Sequence, residues 1–570
     1  METRRFILAL SLSLIVFVVY VRFFAPKPPQ KPLVPEAAQQ ETMPKKAEQP
    51  AAPSAKRPET VAAKIEQATK GTKGRDIVIE TDLIKAVVNT AGGVITGLEL
   101  KHYREADKTE VGLGALYKKI TGQAKKEEQP KKELGNVQLV PSYEGVDPKD
   151  LVAPLTVMPL DKALFKLAQV EYRADRDSLL LGRDKPSETL VLSYIGPAGI
   201  MIEKQLTFHN DKYQIDVAIN TKGLDGYNIF LGTDFGIADK LSKDASGRVG
   251  MAALVDGKTN TDKLGSIKGE VQYSGAIEWF GQEDKYFTAT MLYGDRGIVT
   301  CTRTPAPKEV GDLLTTGLTV KEKAGSHTFG IYAGPKSFTL LQAEGHGLEQ
   351  MVDYGWFGIL AKPMFWLMRQ FYAITRNYGI AIILLTIVVR ILLFYPSLKS
   401  ATAMEEMKKI QPQLAALREK YKKDPQRMNQ EMMKMYKEHK VNPLGGCLPM
   451  LLQLPFFVAL YNVLSVSIEL RQSPFISFWI KDLSVFDPFY ILPVLMGVSM
   501  IFTMKMTSTT VDPQQQKIMM FMNIAFIFLF AWLPAGLLLY ITLSNLLSIV
   551  QQLYVRKLLG TSDVSSAIMG

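Results

Sequence analysis

The 570-residue chain carries 67 Lys and Arg against 56 Asp and Glu, a formal charge of +11, and 47% of its residues are hydrophobic. In a soluble protein that excess would point to nucleic acid, but here long apolar runs cut the chain into segments, and positive charge beside such runs reports membrane orientation instead. The two cysteines, Cys301 and Cys447, fall in segments assigned to opposite sides of a membrane, which argues against a disulfide, and the five scattered histidines form no ligand cluster, so neither a metal nor a cofactor is expected.

The chain opens with Arg4 and Arg5, then an apolar run from Phe6 to Ala25 interrupted only by Arg22. A cleaved signal peptide is the alternative, but bulky Phe23 and Phe24 stand where small residues precede a cut, which favours an uncleaved anchor over 1–25 with its start in the cytoplasm. From Pro26 to Gly74 the composition turns to Pro, Ala, Gln, Glu and Lys, a linker that cannot bury a core.

Residues 75–343 read as a soluble domain. Short β-branched runs, among them Ile77-Val-Ile79, Ala86-Val-Val88, Leu190-Val-Leu192, Gln214–Ala218 and Gly297–Thr300, alternate with turn signals at Ala91-Gly-Gly93, Gly196–Gly199 and Asp256-Gly257. Many short strands at this spacing predict a large β-sandwich. Gly112–Lys132 breaks the pattern and reads as an insertion. Over Gly355–Arg376, Trp356, Phe357, Phe365, Trp366, Phe371 and Tyr372 are interleaved with Lys362, Arg369 and Arg376. That pattern suits a helix lying in the headgroup region (355–376), with packing on the β domain as the alternative and a kink expected at Pro363.

Five further spans follow: Tyr378–Tyr395, Leu448–Ile468, Phe489–Met504, Ile518–Leu533 and Ala535–Val555. At ~1.5 Å per residue the two shortest reach about 24 Å, less than the ~30 Å of a typical hydrocarbon core. The segment Lys399–Lys440, with eleven Lys and Arg and six Asp and Glu, belongs in the cytoplasm, whereas Glu469–Asp487 with only Arg471 and Lys481 suits the outside. Six spans then place both termini in the cytoplasm and 26–376 mostly in the periplasm.

Arg390 lies inside the span Tyr378–Tyr395, six residues before Pro396 and so roughly 9 Å inward. A charge there faces a bundle interior or a watery cavity, or snorkels to the headgroups. Thr386 lies one turn earlier on the same face. No Asp or Glu in the other spans neutralises the arginine, but Gln453, Tyr461, Asn462, Ser499, Thr503, Asn523, Tyr540, Thr542, Ser544 and Asn545 offer neutral polar groups, which together suggest a wet, positive groove. In the loop 399–440, Met404, Met407, Ile410, Leu414, Leu417 and Tyr421 recur as a coiled-coil seam, Asp424-Pro425 supplies an N-cap and first turn, and Met428, Met432 and Met435 continue on a second helix. This predicts an antiparallel hairpin with Pro412 bending its first arm. Its methionines suit a docking surface for varied substrates, and a plain spacer is the alternative. No GxxxxGK[ST], HExxH or GxSxG sequence is present, so no enzyme chemistry is expected.

Asn442-Pro-Leu-Gly-Gly-Cys-Leu-Pro449, Asp487-Pro-Phe-Tyr-Ile-Leu-Pro493, Gln514-Gln-Gln-Lys-Ile-Met519, Leu533-Pro-Ala-Gly-Leu537 and Ser544-Asn-Leu546 resemble the YidC-type membrane protein insertase family, in the Gram-negative form with a large periplasmic domain. The resemblance is strong over 355–556 and weak over the β domain. It implies a six-span α-helical membrane protein with a periplasmic all-β supersandwich-like domain and a cytoplasmic helical hairpin, its core at 378–555. It also implies a groove closed to the periplasm and open to cytoplasm and lipid, whose single arginine corresponds to Arg390. Nascent membrane proteins, the Sec translocon and the lipid bilayer are the implied partners, with the ribosome as a further candidate and no nucleic acid recognised directly. Two features depart from the family: the last span reads Tyr540-Ile541 where some relatives have paired tyrosines, and the tail 556–570 has only Arg556 and Lys557 as bases. A solute transporter would call for repeated halves, which are not detected. An anchored carbohydrate-binding protein would need one span only.

Overall fold

A computed structural model describes residues 74–105, 134–238, 240, 248–321, 325–422, 424–439, 448–507, 520–521, 524–525 and 527–558. The expected anchor 1–25, nearly all of the linker, the insertion Gly112–Lys132, Cys447, Asn523 and much of the span Ile518–Leu533 lie outside these residues.

Alternation builds the β domain. In Asp76–Glu80 the side chains of Ile77 and Ile79 turn inward, and in Gln214–Lys222 those of Ile215, Val217 and Ile219 do so. Five strands form one sheet in the order Asn136–Gln138, Val94–Arg104, Ile84–Asn89, Asp76–Glu80, Ser178–Leu180, and only the last pair is parallel. Twelve strands form the other sheet. Its longest strand, Phe287–Thr304, pairs with Gly325–Pro335 over its first part and with Leu313–Val320 over its second, which splits the large sheet into two wings. The domain is all-β, as the runs predicted.

One lysine ties the sheets together. Lys204 is fully buried on Met201–His209, and its Nζ donates to Gly92 O, Gly93 O and Leu155 O at 2.8, 3.0 and 2.8 Å, above the Tyr172 ring. The cage takes all three ammonium protons, and burial pushes the group down from its ordinary value to about 7. Lys204→Met leaves three buried carbonyls without a donor and should destabilise the domain by roughly 3 kcal/mol. Because the folded pKa lies below the unfolded value, the unfolded chain binds more protons between about pH 7 and 10, so wild-type stability rises with pH across that window. Urea unfolding followed by tryptophan fluorescence should show that slope in the wild type and not in Lys204→Met. A variant as stable as wild type would remove the cage from the account.

Eight helices carry the rest of the argument. Helix α1 is Phe338–Glu344, α2 Gly358–Thr375, α3 Tyr378–Leu392, α4 Phe394–Lys420, α5 Pro425–Glu438, α6 Leu448–Val466, α7 Ile491–Thr507 and α8 Ala535–Leu558. Short polar side chains set the starts of three of them. Asn377 Oδ1 accepts from Ile380 N at the head of α3, and Asp424 accepts from Arg427 N with Pro425 in the first turn of α5, as the sequence predicted. Asp487, fully buried, accepts from Phe489 N, Leu492 N and Trp479 Nε1 just before α7.

Among the described residues Ala535–Val555 is long and apolar enough to cross a bilayer, and Tyr378–Leu392 with Phe394–Ala403 passes the same criterion as a pair bent by 60°. Leu452–Val466 and Ile491–Met504 are apolar but shorter. The bend corrects the expected uninterrupted span Tyr378–Tyr395. The helix breaks at Leu393, so Arg390 stands in the last turn of α3, only about 4.5 Å from the break along the axis, not 9 Å from Pro396. Helices α2 and α4 each continue through their proline, Pro363 and Pro412, as single elements. Helix α8 packs against α3, α4, α6 and α7 and forms the centre of the bundle.

Helix α2 packs one face on the helical bundle and leaves another open. Ala361, Met364, Phe365 and Met368 are buried against α3 and α6, whereas Trp356 and Ile359, Trp366 and Ile374 on the helix stay exposed. An aromatic and aliphatic stripe left open beside a protein-packed face is what a helix lying at a bilayer surface requires.

Candidate functional site

The site is built where α3, α6 and α8 meet. Arg390 is partly buried, its Nε donates to Ser544 Oγ at 2.9 Å, and its Nη2 donates to Ser544 Oγ, Ser544 O and Gln453 Oε1 at 2.6, 2.5 and 3.2 Å. Gln453 Nε2 donates to the same Ser544 Oγ at 2.7 Å, closing a triangle of one cation, one hydroxyl and one amide. Tyr540, one turn before Ser544 on α8, is buried next to the guanidinium. No carboxylate pairs with Arg390 among the described residues. A guanidinium held only by neutral acceptors keeps its full charge available to an incoming anion.

The other residues singled out by sequence divide into two groups. Thr386 is fully buried below Arg390 and donates back to Ile382 O at 2.6 Å, so it shapes α3 without touching the guanidinium. Asn545 donates to Ser499 Oγ at 3.1 Å and binds α8 to α7, one residue from the triangle. Asn462 is elsewhere. Its Nδ2 donates to Tyr354 O at 2.7 Å, on the approach to α2. Sequence reasoning counted Ser544 among many polar groups and did not single it out, although the Tyr540–Ser544 spacing puts both on one face of α8. Ile541, in place of a second tyrosine, packs half-buried against the apolar core.

In the hairpin, Ile410 and Leu414 of α4 are buried and covered by Met407, Met432, Met435 and Tyr436. Three of the predicted docking methionines therefore fill the seam between the arms. Met428 is half-buried, Met433 is exposed, and the side chain of Met404 lies outside the described residues.

Two family models match the chain: the 60Kd inner membrane protein over residues 370–562 and the YidC periplasmic domain over residues 132–367. The membrane protein insertase YidC of Syntrophus aciditrophicus is 36% identical over 496 residues, 85% of this chain and 85% of that one. That of Geobacter metallireducens is 33% identical over 572 residues, 98% of this chain and 99% of its own length. A crystal structure of an active YidC insertase with its first transmembrane domain resolved aligns over 85% of this chain and 93% of that chain, at 19% identity and a TM-score of 0.36.

Proposed function

The chain belongs to the YidC family of membrane protein insertases of the bacterial inner membrane, and on that premise we propose that it inserts nascent membrane proteins along a polar groove centred on Arg390. The observation that carries the groove is the arginine held by Ser544 and Gln453 among three helices, without an acidic partner among the described residues. An incoming polar tail meets this charge at the inner end of α3 while its apolar segment moves into lipid. Burial of that segment, at ~25 cal/mol per Å² of apolar area, supplies most of the driving force. No bond is made or broken, and the protein acts as a chaperone and not as an enzyme.

In this reading the six-span topology holds, with 1–25 as anchor, both termini cytoplasmic, α2 at the outer surface and the hairpin of α4 and α5 inside. The break at Leu393 is where the chain leaves the membrane and the hairpin begins. The hairpin receives substrates on its outer face, where Met433 is exposed and Met428 half-buried, and not on the methionines that fill the seam. The Sec translocon is a partner for larger substrates, and the ribosome is a further candidate. The topology is tested with Cys301 and Cys447 replaced. A cysteine at Phe478, 82% exposed, should react with an impermeant thiol reagent in spheroplasts, and one at Lys409 should not. The reverse pattern removes the six-span arrangement.

Photo-crosslinkers at Asn545 and Phe502 should give adducts with nascent membrane proteins during insertion. Their absence, with the protein correctly assembled, would turn the reading toward a transporter.

A further inference from the structure

The β domain has an opening of its own where its large sheet divides. Phe287–Thr304 pairs with Gly325–Pro335 only as far as Leu292 opposite Gly330, bends at Gly294 with φ +75°, and joins Leu313–Val320 from Ile298 onward. The parting wings leave a cleft of about 340 Å³ on the sheet's open face. Strand register stacks its lining in two rows: Gln205 beside Ala218 and Thr328, and Thr207 beside Asp216, Gly330 and Leu292. Ala218 and Gly330 keep the floor low between taller neighbours. A Cβ on Gly330 would stand 2.9 Å from Leu292 Cδ1 and 3.3 Å from Gln214 Nε2, so a side chain there would fill the cleft. His346 stands at the rim in the left-handed region, φ +55°, between two glycines, and its carbonyl accepts from Trp279 Nε1 at 3.1 Å, which holds that loop in place.

The polar groups of the cleft narrow the ligand. Asp216, half-exposed, accepts from Gln214 Nε2 on Oδ1 at 2.7 Å and from His209 Nε2 on Oδ2 at 2.8 Å. Gln205 Nε2 donates to Glu203 Oε1 at 2.9 Å, and the Thr207 hydroxyl shares a 2.8 Å hydrogen bond with that of Thr189. These donors bond within the protein and leave the cleft rich in acceptors: both Asp216 oxygens, each with a further lone pair, and the amide oxygens of Gln205 and Gln214. No lysine or arginine lines it, so an anion finds no counter-charge. An extended peptide finds no sheet edge, because the strands Met201–His209 and Gln214–Lys222 are paired on both sides. A ligand that brings many O–H donors fits. From Gln205 to Thr328 the groups span two strand spacings, ~10 Å, which hydroxyls around one or two rings cover and one ammonium does not. The volume sits at the small end of the ~300–1,000 Å³ of ligand clefts.

We propose that this cleft is a saccharide-binding site for one or two neutral sugar rings: Asp216, Gln205 and Gln214 accept from separate ring hydroxyls, Thr328 meets a further one, and Leu292 lies against the ring's C–H face. The proposal does not rest on the insertase reading, since no helix from α2 to α8 lines the cleft. It gives the β domain a ligand of its own and makes sugar binding separable from insertion.

The test uses the full chain in lipid nanodiscs, free of sugar-headed detergent, and saturation-transfer NMR. The sugar probes are D-glucose, D-galactose, N-acetylglucosamine and maltose, and citrate, spermidine and tetra-alanine stand for an anion, an ammonium and a peptide. At least one sugar should bind saturably, and the other three probes should not. Asp216→Ala and Gln205→Ala, both on the open face, should each weaken that binding about fivefold or more, the loss of a hydrogen bond. Gly330→Leu, which fills the floor, should abolish it. Where Gly330→Leu does not accumulate, Gln205→Ala carries the test, since its half-buried side chain lies outside the core. None of these changes should alter insertion into proteoliposomes, and Arg390→Ala should bind the sugar as wild type does. No sugar bound, binding unmoved by Asp216→Ala and Gln205→Ala, or saturable binding of citrate, spermidine or tetra-alanine in place of sugar overturns the proposal. Failure of insertion in Arg390→Ala with sugar binding intact leaves the two readings independent, as proposed.

Discussion

Arg390→Ala should slow insertion of substrates with acidic translocated tails by about tenfold, and of those with neutral tails much less. At an effective dielectric of about 20, a carboxylate about 8 Å from the guanidinium gains about 2 kcal/mol. A change of 1.4 kcal/mol is about tenfold in a rate, so a loss of this order is expected once approach and release share the difference. The structure sharpens the expectation, because Ser544 and Gln453 already occupy the guanidinium. An acidic side chain must replace neutral acceptors, which it can do because hydrogen bonds between charged partners are about twice as strong as those between neutral ones. Arg390→Lys should fall between wild type and alanine: it keeps the charge but loses the two-point grip of Nε and Nη2 on Ser544. Ser544→Ala, which removes the shared hydroxyl and leaves the charge, should preserve the preference for acidic tails. The measurement is protease protection of tail-charge variants inserted into proteoliposomes. An equal loss for acidic and neutral tails in Arg390→Ala would make the residue a structural pin of α3 on α8.

Much of this site was legible because charge and periodicity are local. Arg390 stands out as a cation in an apolar run, Asp424-Pro425 announces the start of α5, and the spacing of Met407, Ile410 and Leu414 against Met432 and Met435 predicts a seam that the structure closes. The break at Leu393 was not legible. No glycine or proline stands there, and Pro396 lies three residues on, inside the next helix. Asn462 illustrates a second limit. Its polarity marks it as unusual in an apolar helix, but whether it faces Arg390 or the outer end depends on which turn it occupies relative to Gln453, nine residues away, and on where the chain before α2 comes to rest. Lys204 shows the opposite case. In Met201–His209 it shares the inward parity of Ile202, Leu206 and Phe208, so the alternation itself places a lysine in the core. What could not be read is the cage of Gly92, Gly93 and Leu155 carbonyls, supplied by segments at least 49 residues away.

The largest structural effect is expected from Gly379→Val at the head of α3. A Cβ added there would stand 2.1 Å from Cδ2 of Phe475, 2.4 Å from Cγ and 2.7 Å from Cβ, closer than real contacts allow. The ring cannot simply swing aside. Phe475 N donates to Ile480 O at 2.9 Å, Phe475 O accepts from Asn377 Nδ2 at 2.9 Å, and the side chain packs against the apolar core. Nor can α3 retreat, because Gly379, Ala381, Ile382 and Leu385 are buried on the same helix and α8 lies behind them. Overpacking ordinarily costs ~1–3 kcal/mol and more where both sides are pinned, and a branched side chain adds two methyl groups to the clash. Gly379→Val should therefore detach the short hairpin around Phe478 from the end of α3 and leave the protein protease-sensitive at the loop between α6 and α7, with insertion lost for every substrate whatever its tail charge. Gly379→Ala should show the same defect more weakly. The contact itself is isolated by Phe475→Ala, which empties the space the new side chain needs: alone it should be mildly destabilising, and combined with Gly379→Val it should restore much of the protease resistance. If the double variant is no better than Gly379→Val, the clash with Phe475 is not the reason a glycine is needed at 379, and the start of α3 must be constrained by its own backbone.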